Sequence, residues 1–247
     1  VVGHPSVIIA GIALTAALVT SCTHHEPPKQ PAPPENLDHS TVRWIPTQAV
    51  DLMSSEGTFI RALSESFAAA QTTTGDPTTA LRVGGYPGFE HALNNSVKVD
   101  EIFGTAPSRG ISVGTDYREV ISLTKQGDRF KAGVCRYYSQ STYQTPDGKY
   151  KSSTLIGSGV WLTFGPDPKL ISQEQHSPPS NQRGSANRPT DNVFGTWITF
   201  DYNPLVEPSL NCDRLAPGTP KDFHPGEISD PPPTLSPDPG WTEGSKA

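Results

Sequence analysis

The rhythm of apolar positions changes once along this chain. Over residues 51–71, Phe59, Ile60, Leu63 and Phe67 recur at three- and four-residue spacing. That spacing places them on one face of a helix. Ser54 or Ser55 can accept a hydrogen bond from the first unpaired N–H groups. The run from Thr72 through Pro77 reads as its stop. A shorter helix is predicted over 87–94, with Pro87 in its first turn, Phe89 and Leu93 four apart, and Asn94-Asn95 as the end.

From Tyr117 onward the period becomes two. Residues 119–125 read as a strand, followed by the turn Gln126-Gly127-Asp128. Residues 129–143 read as a long strand in which Phe130, Ala132 and Val134 alternate with Lys131, Gly133 and Cys135. Thr145-Pro146-Asp147-Gly148 has turn chemistry: proline presets one dihedral and glycine tolerates a positive one. Residues 150–164 then return as the partner strand, broken by Gly165-Pro166-Asp167-Pro168. Residues 178–192 carry one apolar side chain, Ala186, and are expected to be a mobile loop. Residues 193–202 form the last strand, with Phe194, Ile198 and Phe200 on one face and Trp197 on the other. Helices followed by an antiparallel meander define an α+β fold, the helices packed on a curved sheet.

Composition narrows what folds. Charged residues make up 18% and apolar residues 34%, with 26 prolines among 247 residues. Both classes fall below globular averages of about 25% and 45%. The deficit fits one modest core between unpacked flanks. The expected organisation is a signal at 1–21, a proline-rich tether at 22–44, one domain at 45–212 and a disordered tail at 213–247. The net charge of −6, with scattered Lys and Arg, excludes a basic nucleic-acid face.

Residues 7–19 are apolar except for Gly11 and Thr15. A transmembrane helix needs about 20 such residues, so this run is too short to span a bilayer and reads as a signal-peptide core. Val19-Thr20-Ser21-Cys22 follows at once. It resembles the lipobox of bacterial lipoproteins, in which an aliphatic residue and two small ones precede a cysteine that takes a diacylglyceryl group. The absence of a Lys or Arg before the apolar run departs from that pattern. Prolines 27, 28, 31, 33 and 34 then keep the chain extended. The resemblance implies lipidation at Cys22 and a cell-membrane location on the extracytoplasmic side. With Cys22 assigned, Cys135 and Cys212 are left as an even pair, and export favours a disulfide between them over two free thiols. Lipobox, proline tether and one small domain together resemble the lipoproteins of mycobacteria and their relatives. Helices before a meander over about 50–202 resemble the cone-shaped fold of the nuclear transport factor two-like and polyketide-cyclase-like superfamily.

Catalytic motifs are scarce. His24-His25-Glu26 lacks a second histidine three residues on, and Pro27-Pro28 forbids the helix a zinc protease needs. Ser122 and Lys125 have Ser-x-x-Lys spacing but fall on a predicted strand. Gly157-Ser158-Gly159 lacks nucleophile-elbow spacing. The histidines are scattered, so no metal site is expected, nor any cofactor. The most site-like set is Tyr117, Arg136, Tyr138, Trp161 and Asp201, which would line a cavity if the sheet curls beneath the helix. The competing reading is cross-strand packing, with Arg136 and Asp201 facing solvent. The expected function is a lipid-anchored binding or envelope-associated protein, a monomer, whose partner is an envelope lipid, a small apolar ligand or a protein. The alternative is a cone-fold enzyme with an Asp or His general base in the cavity. A purely structural envelope protein is a third reading.

Overall fold

Ser54 caps the first helix, its side chain accepting from the Gly57 N–H at 3.1 Å. Helix α1 runs Ser55–Gln71 and is the centre of the molecule. Phe59, Ile60, Leu63 and Phe67 are buried on its sheet-facing side. Each such side chain contributes roughly 1.5–3 kcal/mol on burial. The opposite side of α1 is covered as well: Thr58 and Arg61 are fully buried. The structure, a computed structural model, describes residues 1–3, 33–104, 110–203 and 209–243. Cys22 and the apolar run before it lie outside the described residues. No helix among those described is long and apolar enough to cross a membrane.

Three short helices follow: α2, Pro77–Gly84; α3, Phe89–Leu93; and α4, Val99–Ile102. α3 lies where the sequence put it, with Asn94 left-handed at its end. α2 replaces an expected stop. Asp76 accepts from the Thr79 N–H at 3.0 Å and Pro77 takes the first turn, so the residues that end α1 also start α2.

Among the described residues the sheet has eight strands: β1, Thr41–Ile45; β2, Ser112–Gln126; β3, Arg129–Tyr137; β4, Ser141–Gln144; β5, Tyr150–Ser152; β6, Gly157–Pro166; β7, Trp197–Asn203; and β8, Ile228–Ser229. Their order is β7-β6-β3-β2-β4-β5-β8, and β1 adds to β2 in parallel. Together they make an α+β fold with a curved, open sheet. β2 pairs with β3 along its second half and with β4 along its first. The two long strands expected at 129–143 and 150–164 are therefore present in register but interrupted. Both interruptions fall at one level, where the Tyr138 N–H bonds the Ile156 carbonyl. Breaking neighbouring strands at the same height lets the sheet bend there.

Both expected flanks prove to be partly folded. The tether was placed at 22–44, yet Leu37 N–H bonds the Thr72 carbonyl and β1 joins the sheet with Trp44 buried. Alternating Val42 and Trp44 outweigh Arg43 between them. The tail was expected to be disordered from 213. Instead Trp241 is 1% exposed in the core, and Ala186 bridges to it. The prolines of this segment lack N–H groups but keep their carbonyls. Side chains of the domain donate to them: Thr115 Oγ1 to Pro233, and Arg61 to Pro239. Residues 178–192, expected to be a mobile loop, are irregular but anchored. Ser55 Oγ donates to the Pro178 carbonyl, and Arg188 to that of Gly85.

The last strand starts at Trp197, not 193. Val193 and Phe194 precede it and are nonetheless buried. Trp197 packs with Phe59 and Phe130 on the core side, opposite Ile198. A register shift between Thr163 and Phe164 of β6 breaks the strict alternation that the sequence pattern assumed.

Candidate functional site

The sheet separates two environments. On the α1 side lie Val134 and Arg136 of β3, Ser158 and Val160 of β6, Arg118 of β2 and Tyr202 of β7. With Ser64, Phe67, Ala68 and Gln71 of α1, and Tyr138, they enclose a cavity of about 80 Å³. The period of two explains which residues arrive there. Arg118 faces α1, and its neighbours Tyr117 and Glu119 face away.

Asp116 lies beneath this cavity and is fully buried. Its Oδ2 accepts from Arg118 Nε at 3.0 Å and Nη2 at 2.6 Å, and its Oδ1 accepts from Arg136 Nε at 2.8 Å. Burial pushes the Asp116 carboxyl up, but the Arg118 and Arg136 guanidiniums outweigh it and hold it below the ordinary carboxylate range. Burial pulls the Arg136 guanidinium down, while Asp116 pulls it up by more. The group therefore carries two positive charges and one negative. The Arg136 guanidinium carbon also lies 5.0 Å from the Tyr138 ring centroid, within cation–π range. Tyr138 OH and Ser158 Oγ satisfy each other at 2.6 Å. Burial raises the Tyr202 phenol to about 12.

The opposite face is built by the disulfide. Cys135 and Cys212 are bonded, with Cα atoms 5.4 Å apart and a separation of 77 positions in sequence. Closing a loop of that length removes denatured-state entropy worth about 4–5 kcal/mol in the chain-entropy model. It presses residues 209–216 flat against β3 and β6. A Cβ on Gly159 would lie 2.6 Å from Leu210 Cβ and 2.9 Å from Cys212 Sγ, so only glycine fits there. Beside it, Tyr137 OH donates to Glu119 Oε2 at 2.5 Å, and Arg214 Nε donates to Tyr137 OH at 3.0 Å. Burial and the Glu119 carboxylate lift the Tyr137 phenol to about 12.

Of the five residues expected to converge, Arg136 and Tyr138 line the cavity. Tyr117 belongs to the disulfide cluster on the other face, and Trp161 packs against that cluster with its Nε1 on Ser209 Oγ at 3.3 Å. Asp201 is exposed on β7. The competing reading holds for these three and fails for Arg136. Asp116, Arg118, Ser64 and Tyr202 belong to no motif that marks them in the sequence as site residues. Strict alternation in Asp116-Tyr117-Arg118 would have placed the two charges on the face opposite Tyr117.

A second buried carboxylate belongs to α1. Glu65 accepts from Trp44 Nε1 at 2.7 Å, Tyr86 OH at 2.8 Å and Trp241 Nε1 at 2.7 Å. It lies outside the cavity lining and is fully occupied. The described histidines, His39, His91, His176 and His224, are all exposed. Ser122 and Lys125 sit three apart on β2, on opposite faces, so they form no dyad. No group of His, Cys, Asp and Glu among the described residues is placed to hold a metal ion. No family model, curated protein or solved structure matches this chain.

Proposed function

We propose that this chain is a lipid-anchored, extracytoplasmic binding protein that takes a small ligand in the cavity between α1 and the sheet. One observation carries the binding reading: the cavity wall combines an apolar patch of Phe67, Val134 and Val160 with two arginines organised by a buried aspartate. Such a mix of apolar lining and few convergent polar groups is the usual character of a ligand site. The anchor reading is supported by the lipobox-like residues and by the pairing of Cys135 with Cys212, which leaves Cys22 as the odd cysteine. A general base has less support. The described lining holds no carboxylate or imidazole, and Asp116 is engaged through both oxygens.

Intact mass analysis of membrane-associated protein, beside Cys22→Ala, tests the anchor. The expected result is a lipid mass on the wild type, absent from the variant. An unmodified, freely released wild type would sink that part. For binding, small molecules extracted from the purified chain should be lost when Ser64→Leu fills the cavity.

A further inference from the structure

Hydrogen-bond donors on the cavity wall outnumber their acceptors. Arg118 uses Nε and Nη2 on Asp116, and Arg136 uses Nε. Among the described residues, Arg118 Nη1 and both terminal nitrogens of Arg136 have no hydrogen-bond partner. Tyr202 OH likewise has none. Ser64, 8% exposed, lines the same cavity, and its buried Oγ is unpartnered. The buried, unpaired Ser64 Oγ costs about 1–3 kcal/mol, and the free guanidinium and phenol donors that share its cavity point to a missing acceptor.

The charge of the wall selects that acceptor. Two guanidiniums hydrogen-bond one carboxylate, and Asp38 acts on Arg136 from farther away, so the wall has room for at most one further negative charge. A doubly charged phosphate monoester would place its second charge against Phe67, Val134 and Val160, where desolvation is costly. The free edge of Arg136 is a planar fork already held by Asp116, a geometry suited to two carboxylate oxygens.

A wider groove of about 580 Å³ adjoins the cavity, sharing Ala68, Gln71, Arg136 and Tyr138 with it. That groove is lined by hydroxyls, including Ser112, Ser141, Thr142, Ser153 and Thr154. The Thr142 hydroxyl is buried and also unpartnered. The geometry points to a hydroxyl-rich organic acid of the sugar-acid class. Its carboxylate sits between Arg118, Arg136, Ser64 and Tyr202, and its hydroxylated body lies in the groove. This rests on the cavity being the binding site.

Calorimetric titration of the full chain with glucuronate, glucose and glucose 6-phosphate tests it. Glucuronate should bind at least about tenfold more tightly than either of the others, because only it offers one charge at the right end. Arg136→Gln leaves Asp116 paired with Arg118 and should weaken glucuronate roughly tenfold to a hundredfold in a variant that still unfolds in one cooperative transition. Arg136→Lys should restore part of the affinity. Equal binding of glucose and glucuronate, tighter binding of glucose 6-phosphate, or an indifferent Arg136→Gln would each overturn the assignment. Ser64→Leu separates the two levels. If a co-purified molecule of other chemistry is lost from this variant, the cavity remains a binding site and only the acid assignment falls. If it is retained, the binding reading falls with it.

Discussion

Two buried carboxylates on the same side of the sheet are satisfied in opposite ways. Glu65 receives three neutral donors, two indoles and a phenol, drawn from β1, the segment after α2 and the C-terminal segment. Arg61, four residues earlier on α1, stacks over Trp241 at 4.2 Å and spends its donors on the Gln182, Pro239 and Gly240 carbonyls. Its Nε is buried without a partner, but this hub lies outside the cavity lining and fastens distant segments to α1. Asp116 receives two guanidiniums that still have donors to spare, and it borders a cavity. A carboxylate met by neutral donors works as a fastener. A carboxylate met by an excess of arginine organises those arginines for something else.

The comparison breaks most sharply at Asp116. Asp116→Asn leaves Arg118, whose side chain is 3% exposed, without its counter-charge. A loss of about 3–5 kcal/mol is expected in urea unfolding. Added oxyanion should recover part of it, and the wild type should gain less. Burial raises the Asp116 pKa but the arginines lower it further, so its folded value lies below the unfolded one. Its stabilisation is therefore present above about pH 4 and is lost as pH falls through the lower folded value. Acid unfolding of Asp116→Asn should lack that component.

Glu65→Gln is next. An amide retains one acceptor oxygen and sets an NH₂ group among the donors of Trp44, Tyr86 and Trp241. The expected cost is about 1–3 kcal/mol with no change in ligand affinity, because Glu65 is outside the cavity lining. A change in affinity without a change in stability would reverse the roles assigned to the two hubs.

The smallest effect is expected from Tyr202→Phe, since its hydroxyl has no partner among the described residues. Stability should change by less than about 1 kcal/mol at neutral pH. Burial lifts the folded Tyr202 pKa to about 12, so its contribution is complete below about pH 10 and fades as pH rises toward the folded value. Ultraviolet titration should show one late-ionising tyrosine fewer in the variant. Affinity for an anion should fall, unlike that of Glu65→Gln.

How far the sequence was readable differed by element. α1 and its cap, the meander and its turns follow from period and turn chemistry, because those signals are local. α2 was missed because Asp76-Pro77 serves equally as a stop or a start, and only packing decides. Trp241 was missed because proline-rich composition hides how many side-chain donors elsewhere reach those carbonyls. Within the site, Arg136 and Tyr138 were legible as a polar pair on a strand. Tyr117 and Trp161 were assigned to the wrong face, since alternation tells which residues share a face but not which face the helix covers.

The sequence alone determined the order of elements, the turns that join the strands and the even pair of cysteines, all carried by spacing a few residues wide or by counting. Tertiary structure alone decided that Asp116 lies under two arginines, that Glu65 gathers two tryptophans and a tyrosine, and that the chain's end enters the core. Each brings together groups 20 or more residues apart, such as Asp116 with Arg136 and Glu65 with Trp241. Local propensity carries no record of such meetings. They exist because a buried charge must find its partners wherever the fold can bring them.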